Sequence, residues 1–163
     1  MVDSFKPDAR RRIMQSVRTK KTGPERRLAA ALAAIGLSFR RNDSRAFGCP
    51  DFSFRHAALA VFVDGDFWHG RTWFAAGSAP ATNTEFWVAK FERNRERDRL
   101  VDRRLRKKGW SVLRVWGSEV NKSPHRCAQR VRGRLRRLAR AGRPYPSRAL
   151  RGVARRWPPK AGG

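Results

Sequence analysis

Val61-Phe62-Val63 runs without a break into Asp64-Gly65-Asp66-Phe67-Trp68-His69-Gly70, so an apolar segment ends in two carboxylates, two aromatic rings and one imidazole. A short run rich in Val and Phe reads as a buried strand, and strand ends are where folds present reactive groups. The segment therefore marks a candidate site. Taken alone, it fits equally well a strand followed by a polar turn whose aromatics fold back into the core.

The 163 residues, 40% of them apolar, suffice for one domain with a proper core. Lys and Arg number 39 against 13 Asp and Glu, a formal charge of +26 that is spread along the chain. Such a field attracts polyanions. Six Trp and ten Phe interleaved with arginines favour nucleic acid over a lipid surface, because rings stack on bases while guanidinium groups hold phosphates. Two cysteines, Cys49 and Cys127, are too few for a disulfide-stapled secreted domain. Met1 to Pro7 shows no signal-peptide apolar region, so a reducing cytoplasm is expected. No run approaches the ~18 apolar residues of a membrane span, and a soluble protein is expected.

Along the chain, Asp8 can cap a short basic helix to about Arg18 that either docks loosely or lies on a partner. Thr22-Gly23-Pro24-Glu25 opens a second helix by a capping-box pattern, with Leu28, Leu32 and Ile35 as its core stripe. Glu25 points along that buried face; it needs a partner there, or it merely completes the capping box. Strands over Leu37–Arg41, Asp51–Arg55 and Leu59–Asp64 suggest a meander in which Asp51 and Asp64 converge. After a loop from Gly70 to Thr84, a long helix reaches Lys108 with Trp87, Phe91, Asn94, Asp98, Val101 and Leu105 on one face. Asp98 is thus a third inward acid, or the partner of an Arg on a neighbouring element. A strand over Ser111–Trp116 and a basic helix after Pro124, with Cys127, Val131, Leu135 and Leu138 on one face, complete the pattern. The layout predicts an α/β (α+β) fold, a central mixed β-sheet flanked by helices. It divides into one domain over 1–141, made of an 8–18 helix, a 22–120 core and a 124–141 basic helix, and a flexible basic tail over 142–163.

Phosphodiester hydrolysis needs a cation against the phosphate, a base or metal to activate water, and a positive surface for the backbone. Asp51 and Asp64 are hard oxygen ligands suited to Mg²⁺, and a strand-end carbonyl such as that of Val63 adds another. His69 can hold or release a proton near neutrality, and an inward Glu25 or Asp98 can orient it.

These motifs resemble the very short patch repair (Vsr) DNA mismatch endonucleases, whose fold is restriction-endonuclease-like. The resemblance spans roughly residues 8 to 120. It rests on Arg10-Arg11-Arg12-Ile13-Met14, Pro24-Glu25-Arg26-Arg27-Leu28, Pro50-Asp51-Phe52, Phe62-Val63-Asp64-Gly65 with Phe67-Trp68-His69, Pro80-Ala81-Thr82-Asn83-Thr84-Glu85-Phe86-Trp87, Asn94 with Arg97-Asp98, and Gly109-Trp110 with Val115-Trp116. It implies that Asp51 and the Val63 carbonyl bind Mg²⁺, that Asp64 and Asp98 complete an acidic cluster, and that His69 activates water while pairing with Glu25. It further implies that Phe67, Trp68 and Trp87 wedge into the duplex beside a T:G mispair, while the first helix, with Arg10, Arg11 and Met14, approaches from the minor groove. Double-stranded DNA with a mismatched or modified base is the implied partner, mismatch-repair proteins are its associates, and the enzyme is expected to act as a monomer on nucleoid DNA.

One departure stands out. The family carries a structural zinc, but the corresponding positions here hold Asp66, Arg71, Trp73 and Gly117-Ser118, and Cys49, Cys127, His56 and His125 offer no replacement spacing. A zinc-free protein is expected, with Trp73 or Phe74 packing the loop. The alternatives are a restriction-type or modification-directed nuclease on the same scaffold, and a DNA-binding module with a decayed site.

Overall fold

A four-stranded mixed sheet with helices on both faces organises the chain, as seen in a computed structural model that describes residues 22–77 and 83–143. The expected 8–18 helix, with Arg10, Arg11 and Met14, lies outside the described residues, as does the tail beyond Arg143. Helix α1 (Gly23–Ala34) is followed by β1 (Arg40–Arg41), β2 (Phe52–Phe54) and β3 (Leu59–Asp64). Then come α2 (Arg71–Ala76), α3 (Thr84–Lys107), β4 (Ser111–Trp116), α4 (Gly117–Lys122) and α5 (Pro124–Arg140). The strands stand in the order β1-β2-β3-β4, the first three antiparallel and β4 parallel to β3. The long return that a parallel pair requires is made by α2 and α3.

The two-residue period of β3 divides the core. Leu59 and Val61 face the larger cluster, where Leu28 and Leu32 of α1, Val120 of α4 and Val131 and Leu135 of α5 meet Phe52 and Phe54. Ala60 and Phe62 face the other side, where Leu105 and Val101 of α3 pack with Val112 and Trp110. Asp64 continues this second row, so the strand delivers its carboxylate on the α3 side of the sheet. On α3 the expected stripe turns inward, with Phe91 and Leu105 buried and Trp87, Asn94, Asp98 and Val101 half-buried.

Strands β3 and β4 and helices α1, α3 and α5 fall where the hydrophobic periods put them. The edge strand is shorter than expected, because β1 pairs with β2 only through Arg40 and Arg41. Two short helices, α2 and α4, occupy stretches whose composition read as loop or connection. Among the described residues, no helix is long and apolar enough to cross a membrane.

The chain between β1 and β2 is held by a buried ionic knot. Asp43 accepts from Ser53 Oγ at 2.5 Å and from Arg55 Nε and Nη2, each at 2.7 Å. These donors hold its carboxyl at about 2. Removing one member of such a knot strands the others, so Asp43→Ala is expected to destabilise by about 2–4 kcal/mol in urea unfolding at neutral pH. Its folded pKa lies below the ordinary 3.8, so this stabilisation is present above that value and fades as pH falls through about 2. The gap between wild type and variant should therefore narrow in acid, and a gap independent of pH would contradict the role assigned to Asp43.

Candidate active site

Asp51 sits just before β2, and its Oδ2 accepts the Val63 N–H at 2.7 Å, which fixes the carboxylate against the end of β3. Burial raises its pKa, the Val63 bond opposes that, and the nearby charges of Glu25 and Asp64 raise it further, with Arg114 opposing last; the result is an increase from 3.8 to about 6. The carboxylate thus lies where burial and neighbouring acids outweigh the one arginine that reaches it, which suits a divalent cation with oxygen ligands. Glu25 is buried and takes the Thr22 N–H at 3.3 Å and the Thr22 hydroxyl at 2.9 Å, so the capping box forms. The cap reading of Glu25 is thus met, and its charge also reaches Asp51.

Beyond β3 the chain closes a tight loop, with the His69 N–H on Gly65 O at 3.0 Å and the Arg71 N–H on Asp66 O at 2.9 Å. Gly70 has φ +61°, and a Cβ there would come within 2.8 Å of the Phe91 ring, so only glycine closes the loop against α3. His69 Nδ1 meets Asp98 Oδ2 at 2.7 Å, and its Nε2 lies 3.9 Å from Asp64 Oδ1. The hydrogen bond that the resemblance assigned to Glu25 is therefore made, on this nitrogen, by Asp98. Burial works against the imidazolium, but the Asp98 bond and the charges of Asp64 and Asp98 outweigh it, and the net shift is upward. Ligand-type atoms of Asp64, His69 and Asp98 all lie within 4.8 Å of one another.

The residue that sequence reasoning missed is Arg114 of β4. Its guanidinium reaches Asp64 at 2.8 Å, Asp102 at 3.1 Å and Asp98 at 3.3 Å, and lies 4.6 Å above the Phe62 ring. An arginine in an alternating strand reads as solvent-facing. The available signal was the inward acid on α3, for which an arginine partner was one reading.

The aromatics form a second group at the mouth of the loop. Phe67 stands 4.9 Å from Trp87, 5.2 Å from Trp68 and 5.9 Å from Phe91, edge to face, yet is 47% exposed. Lys90 lies over Trp68, Trp87 and Phe86. Asn94 ties Trp68 down through a 2.6 Å bond to its carbonyl. Such an exposed apolar platform beside a half-buried acid–imidazole pair is the kind of surface that meets a partner.

What holds this loop differs from the expected packing by Trp73 or Phe74. Asp66 accepts Arg71 Nη1 at 3.0 Å, the Ser118 N–H at 2.8 Å and the Ser118 hydroxyl at 2.5 Å, while Arg71 also reaches Ser118 Oγ at 2.6 Å. Glu119 joins Arg71 to Arg130, and Arg71 lies 5.1 Å over the Trp116 ring. A carboxylate–guanidinium clamp thus ties the loop to the start of α4. These groups do not fit zinc, since the centre is itself a cation and no thiolate is among them.

A family model described as "DNA mismatch endonuclease Vsr" matches residues 2–75. A type II nicking enzyme of Neisseria meningitidis serogroup C is 47% identical over 135 residues, covering 83% of this chain and 91% of its own. A type II nicking enzyme of Haemophilus parainfluenzae is 40% identical over 126 residues, 77% of this chain and 89% of its own. The DNA mismatch endonuclease Vsr of Escherichia coli K12 is 40% identical over 116 residues, 71% of this chain and 74% of its own.

Asp51 holds its proton up to about pH 6 in the folded protein, against 3.8 ordinarily, so the metal-free protein loses stability as pH rises through that window. Asp51→Asn should accordingly be more stable than wild type by about 1–3 kcal/mol above the window in EDTA, and equal to it below. Urea titrations across pH measure this. An asparagine variant no more stable at high pH would mean that the Asp51 charge is already compensated.

Proposed function

The chain belongs to the Vsr family of DNA mismatch endonucleases, and from that premise we propose that this DNA endonuclease nicks double-stranded DNA beside a mispaired base, T:G first among them, using Mg²⁺. The single observation that carries the reading is an under-compensated carboxylate, Asp51, bonded to Val63 of the strand whose last residue, Asp64, lies 3.9 Å from a His69 paired with Asp98. Asp51 and the Val63 carbonyl would hold the ion. Bound there, Mg²⁺ would offset charge at the phosphate and ease ionisation of water. Asp64 keeps the locality acidic while one of its oxygens stays on Arg114.

In this reading His69 takes a proton from water. Its Nδ1 is engaged by Asp98, which fixes the ring and stabilises the imidazolium, and its Nε2 faces Asp64. Acid pairs of this type serve hydrolysis better than binding, which needs neither group. Retention of the full set therefore favours an enzyme over a decayed binding module.

Substrate choice follows from the platform. Separating stacked pairs costs a few kcal/mol and less at a mispair, whereas each base stacked on an aromatic returns about 1–3 kcal/mol. Phe67, Trp68 and Trp87 can make that exchange, with Arg10, Arg11 and Met14 of the N-terminal segment on the opposite groove. The surplus of positive charge over the chain supplies backbone affinity that does not depend on sequence.

Labelled duplexes carrying each mismatch and common modified base, incubated in Mg²⁺ and in EDTA, test reaction, metal and substrate together. The expected result is a single-strand cut beside T:G that EDTA abolishes. Equal cleavage of fully paired DNA would instead support the restriction-type reading. Asp51→Ala should lower nicking by at least about a thousandfold, loss of ~4 kcal/mol of transition-state stabilisation, with duplex affinity nearly unchanged. Unchanged nicking by this variant would remove Asp51 from the mechanism.

A further inference from the structure

Three carboxylates converge on Arg114. Asp64 comes from the end of β3, while Asp98 and Asp102 are one turn apart on α3. Arg114 Nη1 takes Asp64 Oδ1 at 2.8 Å, Nη2 lies 3.3 Å from Asp98 Oδ1, and Asp102 Oδ1 receives Nε at 3.2 Å and Nη2 at 3.1 Å. Only 22% of the Arg114 side chain is exposed, and its charge rests on the Phe62 face. Asp64 and Asp98 also belong, with His69, to a group whose ligand-type atoms lie within 4.8 Å, a spacing compatible with a metal ion.

Nucleases that use two ions place them close together and share carboxylates between them. Here one oxygen of each acid in that group, Asp64 Oδ1 and Asp98 Oδ1, already meets a guanidinium. That guanidinium cannot lose its charge and holds its fork in a fixed plane. Among the described residues no guanidinium bonds to Asp51; its carboxylate accepts the Val63 N–H instead. We infer that Arg114 is a built-in cation that stands in the place of a second divalent ion, closing the Asp64–His69–Asp98 group to metal while holding Asp98 against His69. Arg114 is thus a positioning residue, and the enzyme works with a single ion. The inference rests on the reading that Asp51 holds that ion.

Mn²⁺ binding to the full chain, counted by electron paramagnetic resonance of free Mn²⁺ without DNA, separates the two. Wild type should bind one ion per chain, Asp51→Asn none, and the double variant Asp51→Asn/Arg114→Gln one again, now at the acids Arg114 released. No binding by wild type would defeat the Asp51 reading itself. Binding by Asp51→Asn with Arg114 intact would overturn the inference, as would a folded double variant that binds nothing. Near-ultraviolet circular dichroism verifies the fold. Should the glutamine variant lose its fold, Arg114→Lys on the Asp51→Asn background keeps the charge without the fork. That protein is expected to bind no ion, and an ion bound there overturns the inference.

Discussion

The register of β3 between its two neighbours governs everything else in this molecule. Pairing Phe52 with Val61 on one side brings Asp51 to the Val63 N–H, and pairing Phe62 with Arg114 on the other puts Arg114 in the same row as Asp64. A slip of one residue would turn Asp64 into the apolar cluster of α1 and α5 and lift Val61 or Val63 toward the acids of α3. Burial on both faces makes such a slip costly, since Leu59, Ala60 and Val61 are each fully buried. The chemistry therefore inherits its precision from the hydrophobic pattern of one strand.

Charge is distributed with equal economy. The chain carries 13 acids against 39 basic residues, yet Glu25, Asp51, Asp64, Asp98 and Asp102 gather in one neighbourhood. A basic exterior draws a polyanion in, while a local excess of acid calls for a small cation between protein and phosphate. One arginine inside that excess bridges three carboxylates; it opposes the burial that raises the Asp64 pKa, and it adds to the His69 bond in holding that of Asp98 down.

Much of this was legible before any coordinates. Strand β3 and helix α3 declared themselves by period, and the interruption of the α3 stripe by Asn94 and Asp98 signalled polar business on a buried face. What escaped had a physical reason in each case. Arg114 is indistinguishable from a solvent-facing residue in an alternating strand until its neighbour helix is placed. Helices α2 and α4 are six residues each, too short to show a stripe. Asp66 and Ser118 are 52 positions apart, and nothing local announces a contact that only the parallel crossover creates. Glu25 was readable as cap or as site acid, and the fold shows the cap, with its charge felt at Asp51.

The loop between Gly65 and Gly70 joins two environments that would otherwise drift independently. At one end His69 is sheltered and locked to Asp98; two residues earlier Phe67 stands half in solvent among edge-to-face rings. An exposed aromatic is normally free to collapse onto the surface. Here the Asp66–Arg71–Ser118 clamp, the Asn94 bond to Trp68 and the tight turn at Gly70 leave the segment little freedom. Any partner that takes hold of the rings therefore sits at a fixed offset from the imidazole. Each half-exposed ion pair of the clamp contributes little alone, but three acceptor contacts on one carboxylate restrict the backbone cooperatively. Rings and imidazole are coupled by the shortness of the six residues Gly65–Gly70, not by a moving part.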